Sequence, residues 1–412
     1  MIHKAIRGTK DIYGESIDKF DYIIKQAEET FKDKGYRHII TPTFEHTSLF
    51  QRGIGEGTDI VEKEMYTFYD RGDRQITLRP EGTASIVRSY IENNFFATEE
   101  ISKFYYYGPM FRYERPQTGR YREFYQVGLE CMGSNSYILD AEVIYTAFSF
   151  LKKCNIVDIE ILINSVGCPK CRTKYREVLK SYIKERLDNL CNDCKVRYEK
   201  NPLRVLDCKV DSCKKEMKEA PNLLEYLCDD CNTHFEGVKK YLDMFEVPYK
   251  VDNRLVRGLD YYTNTVFEIV TDRLGAQGTI LAGGRYNNLI EEIGGKSVPA
   301  IGFAAGVERV SMLLENFDND NRFDIYVAWM DEDVKEYTFN IINKLRQNNI
   351  KVTFEYEKKS VKAQMKKAAI NSKNVIIIGS EEKESGLLAL KDLDKREQEK
   401  LTINEIINKF RK

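Results

Sequence analysis

The sequence predicts two folding units of different class. The first is an α+β unit, a large antiparallel sheet with helices that carries a helical insertion. The second is an α/β unit. Three observations predict this. Strand-like runs crowd the first part of the chain, and a Lys-, Glu- and Cys-rich stretch of helical periodicity interrupts them. Beyond a polar linker, strand and helix alternate.

The elements follow in order. Asp18 to Lys34 reads as an amphipathic helix, with Ile17, Phe20, Ile23, Ile24, Ala27 and Phe31 at helical spacing and Gly35 as its stop. Tyr36 to Ile40 is a short apolar stretch, and Pro42 holds Thr41 extended. Strand-like runs follow at Met65–Tyr69, Arg74–Leu78, Lys103–Phe111 and Tyr125–Met132, with a helix at Thr83–Asn93. The helical insertion spans 168–235. Strand character returns at Val266–Thr271 and Gly278–Ala282, then a glycine-rich patch and a helix from Glu308 to Asn316. Phe317 to Arg322 is the linker. After it come strands at Ile325–Trp329, Val352–Tyr356 and Val375–Gly379, and helices at Val334–Asn348 and Ser360–Asn371. These boundaries divide the chain into 1–322, interrupted by 168–235, and 323–412.

Composition bounds the function. The 412 residues carry 64 Lys+Arg against 65 Asp+Glu, with 42% hydrophobic and 31% charged. That excludes collagenous, mucin-like and disordered classes and a uniformly basic coat, while leaving local basic patches open. No apolar run approaches the ~20 residues of a membrane helix, and no apolar leader precedes His3-Lys4, so a cytosolic protein without membrane contact is expected.

Four polar clusters stand out. Arg112, Arg115, Arg120 and Arg122 lie on a loop between two strands, where guanidinium forks suit phosphate. The alternative is a solvated hairpin with surface ion pairs. In Arg79-Pro80-Glu81-Gly82-Thr83, Glu81 and Thr83 suit a cationic group such as an α-ammonium, or Thr83 caps the following helix. Arg257-Gly258-Leu259-Asp260-Tyr261-Tyr262 sets a cation, a carboxylate and two phenols at a turn, or is a loop with core tyrosines. Gly283-Gly284-Arg285-Tyr286 and Gly302 to Arg309 offer a flat small-residue surface beside an arginine, suited to adenine and phosphate. Neither matches a Walker loop or a dinucleotide fingerprint.

Eight of the ten cysteines are paired by spacing: Cys168/Cys171, Cys191/Cys194, Cys208/Cys213 and Cys228/Cys231. A tight turn between cysteines points both thiolates inward, so two pairs make one tetrahedral zinc site and eight cysteines make two structural ones. Reduced thiols that happen to be so spaced, or reversible redox pairs, are the alternatives.

Taken in this order, the clusters resemble the class II aminoacyl-tRNA synthetases, and specifically the histidyl-tRNA synthetase family. The first helix with Thr41-Pro42 resembles motif 1. Phe111-Arg112-Tyr113-Glu114-Arg115 and the loop to Glu130 resemble motif 2, with Tyr113 where many members have His. Gly302 to Arg309 resembles motif 3, and Arg257 to Tyr262 the histidine-specific peptide. Ala5 to Asp11 is similar to the family's N-terminus.

The resemblance implies a six-stranded antiparallel catalytic sheet, a homodimer through motif 1, and a C-terminal α/β anticodon-binding domain. It implies activation of L-histidine by ATP with Mg²⁺, then transfer to the 3′ end of tRNA(His). Arg112 and Arg257 would be the catalytic cations. Glu81, Gly82, Thr83, Arg112, Gln126, Glu130, Arg257, Tyr261 and Tyr262 would hold histidine, and Arg112, Glu114, Arg120 and Arg309 would hold ATP. A pocket pairing both imidazole nitrogens rejects analogues by ~10⁴–10⁵ without editing. The family does not require zinc, so the cysteine-rich insertion is a variant, expected to support the clasp on the tRNA acceptor arm. Lys351, Lys358, Lys359, Lys362, Lys366, Lys367 and Lys373 suit phosphate contacts, or form a solvated helix face. The rival is a synthetase-like regulatory subunit of histidine biosynthesis, which would lack the last domain and degrade the Arg257–Tyr262 peptide.

Overall fold

Six strands form the centre of the main sheet, each antiparallel to its neighbours. Their order is Ser102–Phe111, Glu123–Met132, Ala300–Gly306, Thr279–Arg285, Thr263–Val270 and Glu160–Ser165. Two short strands, Arg37–His38 and Lys250–Val251, add parallel edges and widen the sheet to eight. The computed structural model describes residues 3–55, 58–256, 258–315, 317 and 320–411. Arg257, Asn316 of the expected helix, and Asp318 and Asn319 of the expected linker lie outside the described residues.

Contacts divide the chain into Met1–Phe317 and Asp318–Lys412. In the first unit, strand alternation splits the main sheet into two chemically different faces. Val127, Leu129, Cys131, Phe267, Ile269, Leu281, Ile301, Phe303 and Ala305 face one way and are buried in a single core. The helices Glu15–Lys32, Tyr137–Lys153, Asp229–Met244 and Val307–Leu313 supply the other half of that core. The first helix starts earlier than its apolar spacing suggests, with Glu15 and Asp18 in its first turn, where the helix dipole favours acids. It buries Phe20, Ile23, Ala27 and Phe31, and the chain leaves it through Gly35 at φ +79°.

Behind the sheet, Arg285 is fully buried against Asp140, its Nε donating at 2.9 Å. Its Nη1 donates to the Ser134 carbonyl at 2.9 Å, and His234 Nε2 meets Asp140 Oδ2 at 2.8 Å. Arg285 therefore ties the sheet to two helices and faces away from the glycine-rich surface in which the sequence places it. The insertion packs its own core from Tyr175, Leu179, Ile183, Val205, Met217 and Leu223. The expected limit at 235 falls inside the helix Asp229–Met244, because Phe235, Val238 and Leu242 on that helix belong to the main core.

The second unit is a five-stranded sheet in the order Val352–Phe354, Phe323–Trp329, Ser372–Ile378, Leu388–Asp392, Gln398–Leu401. The first three strands are parallel, as their alternation with the helices Lys335–Gln347 and Val361–Asn371 requires. An antiparallel hairpin and the capped helix Ile403–Phe410 complete it. Buried Gln364 binds the Trp329 carbonyl through Nε2 at 2.8 Å, locking one helix to the central strand.

Candidate active site

The second face of the main sheet carries small and polar residues. Gln126, Glu130, Ala282, Glu268, Gly302, Ala304 and Gly306 line one cavity of about 430 Å³. Its floor is flat because the register demands it. Gly302 pairs opposite Glu130, and a Cβ at Gly302 would lie 1.8 Å from Glu130 Oε2. A Cβ at Gly128 would meet the Tyr106 hydroxyl at 2.7 Å. These glycines are present for close approach rather than for turns.

One end of the cavity is a buried hydrogen-bonding pocket. Thr83 Oγ1 donates to Glu130 Oε1 at 2.7 Å, and the Tyr286 hydroxyl donates to Oε2 at 2.5 Å. Burial pushes the Glu130 carboxyl up to about 8, against the pull of those two hydroxyls. Gln126 Oε1 is buried without a hydrogen-bond partner among the described residues, an acceptor suited to an N–H of a bound molecule. Tyr261 and Tyr262 close this end, their ring centroids 4.7 Å apart, with Tyr286 edge-on to Tyr261 at 5.7 Å.

Glu81, not Thr83, caps the helix Thr83–Glu92. Its two oxygens accept the Thr83 and Ala84 N–H groups at 2.7 and 2.9 Å. Burial raises its carboxyl while those N–H bonds oppose the shift. Gly82 does not line the cavity; it lies against Tyr106, whose ring a Cβ would strike at 2.3 Å. Arg79 serves the scaffold, binding the Pro109 and Thr41 carbonyls at 2.9 and 3.0 Å.

The other end is cationic. Arg112 follows the strand Ser102–Phe111, its Nε on the Pro80 carbonyl at 2.9 Å and its guanidinium over Phe124. Glu114 lies 3.8 Å from Arg112 and 3.1 Å from Arg120. Arg309, on the helix after the floor strand, binds the Gly119 and Thr279 carbonyls at 3.3 and 2.5 Å. Burial lowers the pKa of Arg309, and the charges of Arg120 and Arg112 lower it further. Three guanidiniums that repel one another around one glutamate form a site that an anion relieves. Arg115 does not line the cavity.

The structure thus brings Glu81, Thr83, Arg112, Glu114, Arg120, Gln126, Glu130, Tyr261, Tyr262 and Arg309 to one cavity. Further lining residues stand outside the histidine and ATP sets expected from the sequence, among them Tyr286, Glu268, Asp207 and Lys209. Tyr286 ends the Gly283–Tyr286 stretch of the glycine-rich surface, and strand alternation beyond Arg285 is its signal. Asp207 and Lys209 arrive from the insertion and carry no local signal. Asn201 Nδ2 in the insertion donates to Asp260 Oδ1 at 2.8 Å.

The cysteines form two groups of four, Cys168/Cys171/Cys228/Cys231 and Cys191/Cys194/Cys208/Cys213. Of the C-terminal lysines, Lys358, Lys359, Lys367 and Lys373 are ion-paired, with Asp331, Glu355 or Asp320.

A histidyl-tRNA synthetase family model matches residues 8–310, and an anticodon-binding-domain model matches residues 324–412. The chain is 50% identical to the histidine–tRNA ligase of Caldanaerobacter subterraneus subsp. tengcongensis over 411 residues, covering 98% of this chain and 99% of that one. It is similar to the crystal structure of apo S. aureus histidyl-tRNA synthetase, with a TM-score of 0.84, 36% identity and full coverage of both chains. A Bacillus halodurans structure described as an ATP phosphoribosyltransferase regulatory subunit/histidyl-tRNA synthetase shares the fold, at a TM-score of 0.67 and 22% identity over 92% of this chain and 99% of that one.

Proposed function

The chain belongs to the histidyl-tRNA synthetase family, and from that premise we propose how its residues activate L-histidine with ATP and pass it to tRNA(His). The observation that carries the reading is one cavity with a buried hydrogen-bonding pocket at one end and three guanidiniums at the other. That polarity matches a small amino acid meeting a triphosphate.

In this reading Glu81 and Thr83 hold the α-ammonium group. Gln126 and Glu130 face the imidazole, with Tyr261 and Tyr262 over it and Gly82 behind it. The histidine carboxylate attacks the α-phosphorus; a carboxyl O–P bond forms and the bond to pyrophosphate breaks. Two anions must meet, so positive charge must bridge them. Arg112 does so from the strand end, and Arg257 supplies the second cation. Arg120, with Glu114 orienting it, and Arg309 hold the remaining phosphates. Glu114 and Glu268, two of the carboxylates lining the cavity, would hold a Mg²⁺ bound with the nucleotide, and that ion would neutralise phosphate charge.

Residues 1–322, interrupted by the insertion that begins at 168 and ends at the core helix Asp229–Met244, form the catalytic domain, and 323–412 the anticodon-binding domain. A homodimer through motif 1 is part of this proposal. Ile40 and Phe44, on either side of Thr41-Pro42, are 80% and 55% exposed, apolar surface suited to a second copy. Among the described residues no helix is long and apolar enough to cross a membrane; a cytoplasmic site of action accords with the substrates.

ATP–pyrophosphate exchange with each of the twenty amino acids tests the activation step. Exchange with histidine alone is expected. Silence with all twenty would overturn the reading and point to the regulatory alternative, in which histidine binds without being activated.

A further inference from the structure

The insertion holds eight sulfurs in two closed groups. In each group the four sulfurs lie within 4.8 Å of one another. The sulfurs of Cys168 and Cys171 lie 3.6 Å apart, those of Cys168 and Cys228 3.9 Å, and those of Cys191 and Cys208 3.9 Å. Zinc–thiolate bonds of about 2.3 Å at tetrahedral angles set sulfurs about 3.8 Å apart. The sulfurs are unbonded to each other and too close together to span an iron–sulfur cube.

The backbone is built for thiolates. Cys168, Cys191 and Cys228 each stand at the N-cap of a helix, and Cys171, Cys194 and Cys231 stand in the first turns of the same helices. Helix N-termini favour the thiolate. The Cys228 N–H donates to Cys171 Sγ at 3.1 Å, and the Cys191 N–H to Cys213 Sγ at 3.2 Å. Such donors orient and support thiolate ligands.

The two groups occupy different places. The first joins the point where the chain leaves the strand Glu160–Ser165 to the point where it re-enters the core helix Asp229–Met244. Beside it, Arg172 donates to the Tyr262 carbonyl at 3.1 Å. The second closes 191–213 around Asn201, Arg204 and Cys208. Arg204 reaches Asp59 at 3.1 Å, and the two neighbours of Cys208, Asp207 and Lys209, line the cavity.

We propose that the insertion binds two structural zinc ions, one in each four-cysteine group, and that the second ion, by fixing Cys208, positions Asp207 and Lys209 over the active site. Each ion binds as Zn²⁺ with release of four thiol protons, so no redox partner is needed. The metal sites stand on the thiol geometry; the positioning role rests on the function proposed above.

The test begins with the full chain purified without chelators. Elemental analysis is expected to give two zinc per chain, with X-ray absorption showing four sulfurs at about 2.3 Å. Cys228→Ser and Cys208→Ser are each expected to retain one ion. Metal-free protein with eight freely alkylated thiols, disulfides in rapidly quenched protein, or iron in place of zinc would each overturn the proposal. These readouts do not depend on activity, so they separate from failure of pyrophosphate exchange. If Cys208→Ser folds, its KM for histidine or ATP should rise about tenfold. Loss of one zinc with both KM values unchanged would overturn the positioning role. If Cys208→Ser does not fold, Lys209→Ala with its metal content intact replaces it: the same rise in KM is expected, and both KM values unchanged would overturn the positioning role.

Discussion

With Glu130 facing the imidazole as proposed, histidine binding should expel a proton from its carboxyl. In the free protein, burial holds the Glu130 carboxyl at about 8, so at pH 7 about nine sites in ten carry the proton. Only a carboxylate accepts a neutral imidazole's N–H on either oxygen. Binding must then bring its pKa well below the assay pH, at a cost of about 1.4 kcal/mol per unit drawn from the contacts formed. Histidine should therefore release about 0.9 proton per site at pH 7 and about 0.5 at pH 8 from Glu130. Affinity should rise about fivefold across that interval from this group alone. Titration calorimetry in two buffers of different ionisation enthalpy counts the protons, and Glu130→Gln should abolish the release. A count of zero in the native protein would refute the reasoning. It would mean that the carboxyl keeps its proton or hands it to the ring.

Three further outcomes are expected. Gly302→Ala should abolish pyrophosphate exchange and cost about 1–3 kcal/mol in urea unfolding, since the new Cβ meets the Leu129 carbonyl at 2.4 Å as well as Glu130. Asp140→Asn should cost about 3–5 kcal/mol by the same measurement, because it leaves fully buried Arg285 without its counter-charge. Despite burial, which pushes the other way, Arg285 and His234 hold the Asp140 carboxyl below its usual 3.8. That stabilisation is present above pH 3.8 and lost as pH falls through the lower folded value, and the variant should lack this acid limb. Lys362 and Lys366 are exposed and carry no ion pair among the described residues. Replacing both with Ala should flatten the salt dependence of tRNA binding by about 1.4 logarithmic units per unit, if each meets one phosphate of a single-stranded loop.

Local chemistry made much of this molecule legible. Apolar spacing located the first helix, strand-like runs located four of the six central strands, and the arginine loop fell between two of them as expected. The strand Ala300–Gly306 was missed because its residues are small and weakly β-forming, and its sheet position comes from its neighbours. Its glycines looked like a platform for a nucleotide. Their deeper cause is non-local: Gly302 is small because Glu130 stands opposite, and only the register reveals that pairing. Capping went to Glu81 instead of Thr83 because the Thr83 hydroxyl is engaged by Glu130, far away in sequence. Asp207 and Lys209 were beyond reach, since the insertion's placement over the cavity depends on the Asn201 and Arg204 contacts to another part of the chain.

Arg285 and Tyr286 are adjacent in the chain and serve opposite sides of the sheet. One is held by Asp140 among the helices; the other holds Glu130 in the cavity. A single peptide unit therefore transmits the alignment of the helical layer to the hydrogen-bonding end of the cavity. Recognition has no independent melting point: a label on Tyr286 and one on the helix Tyr137–Lys153 should lose their native signals in one transition.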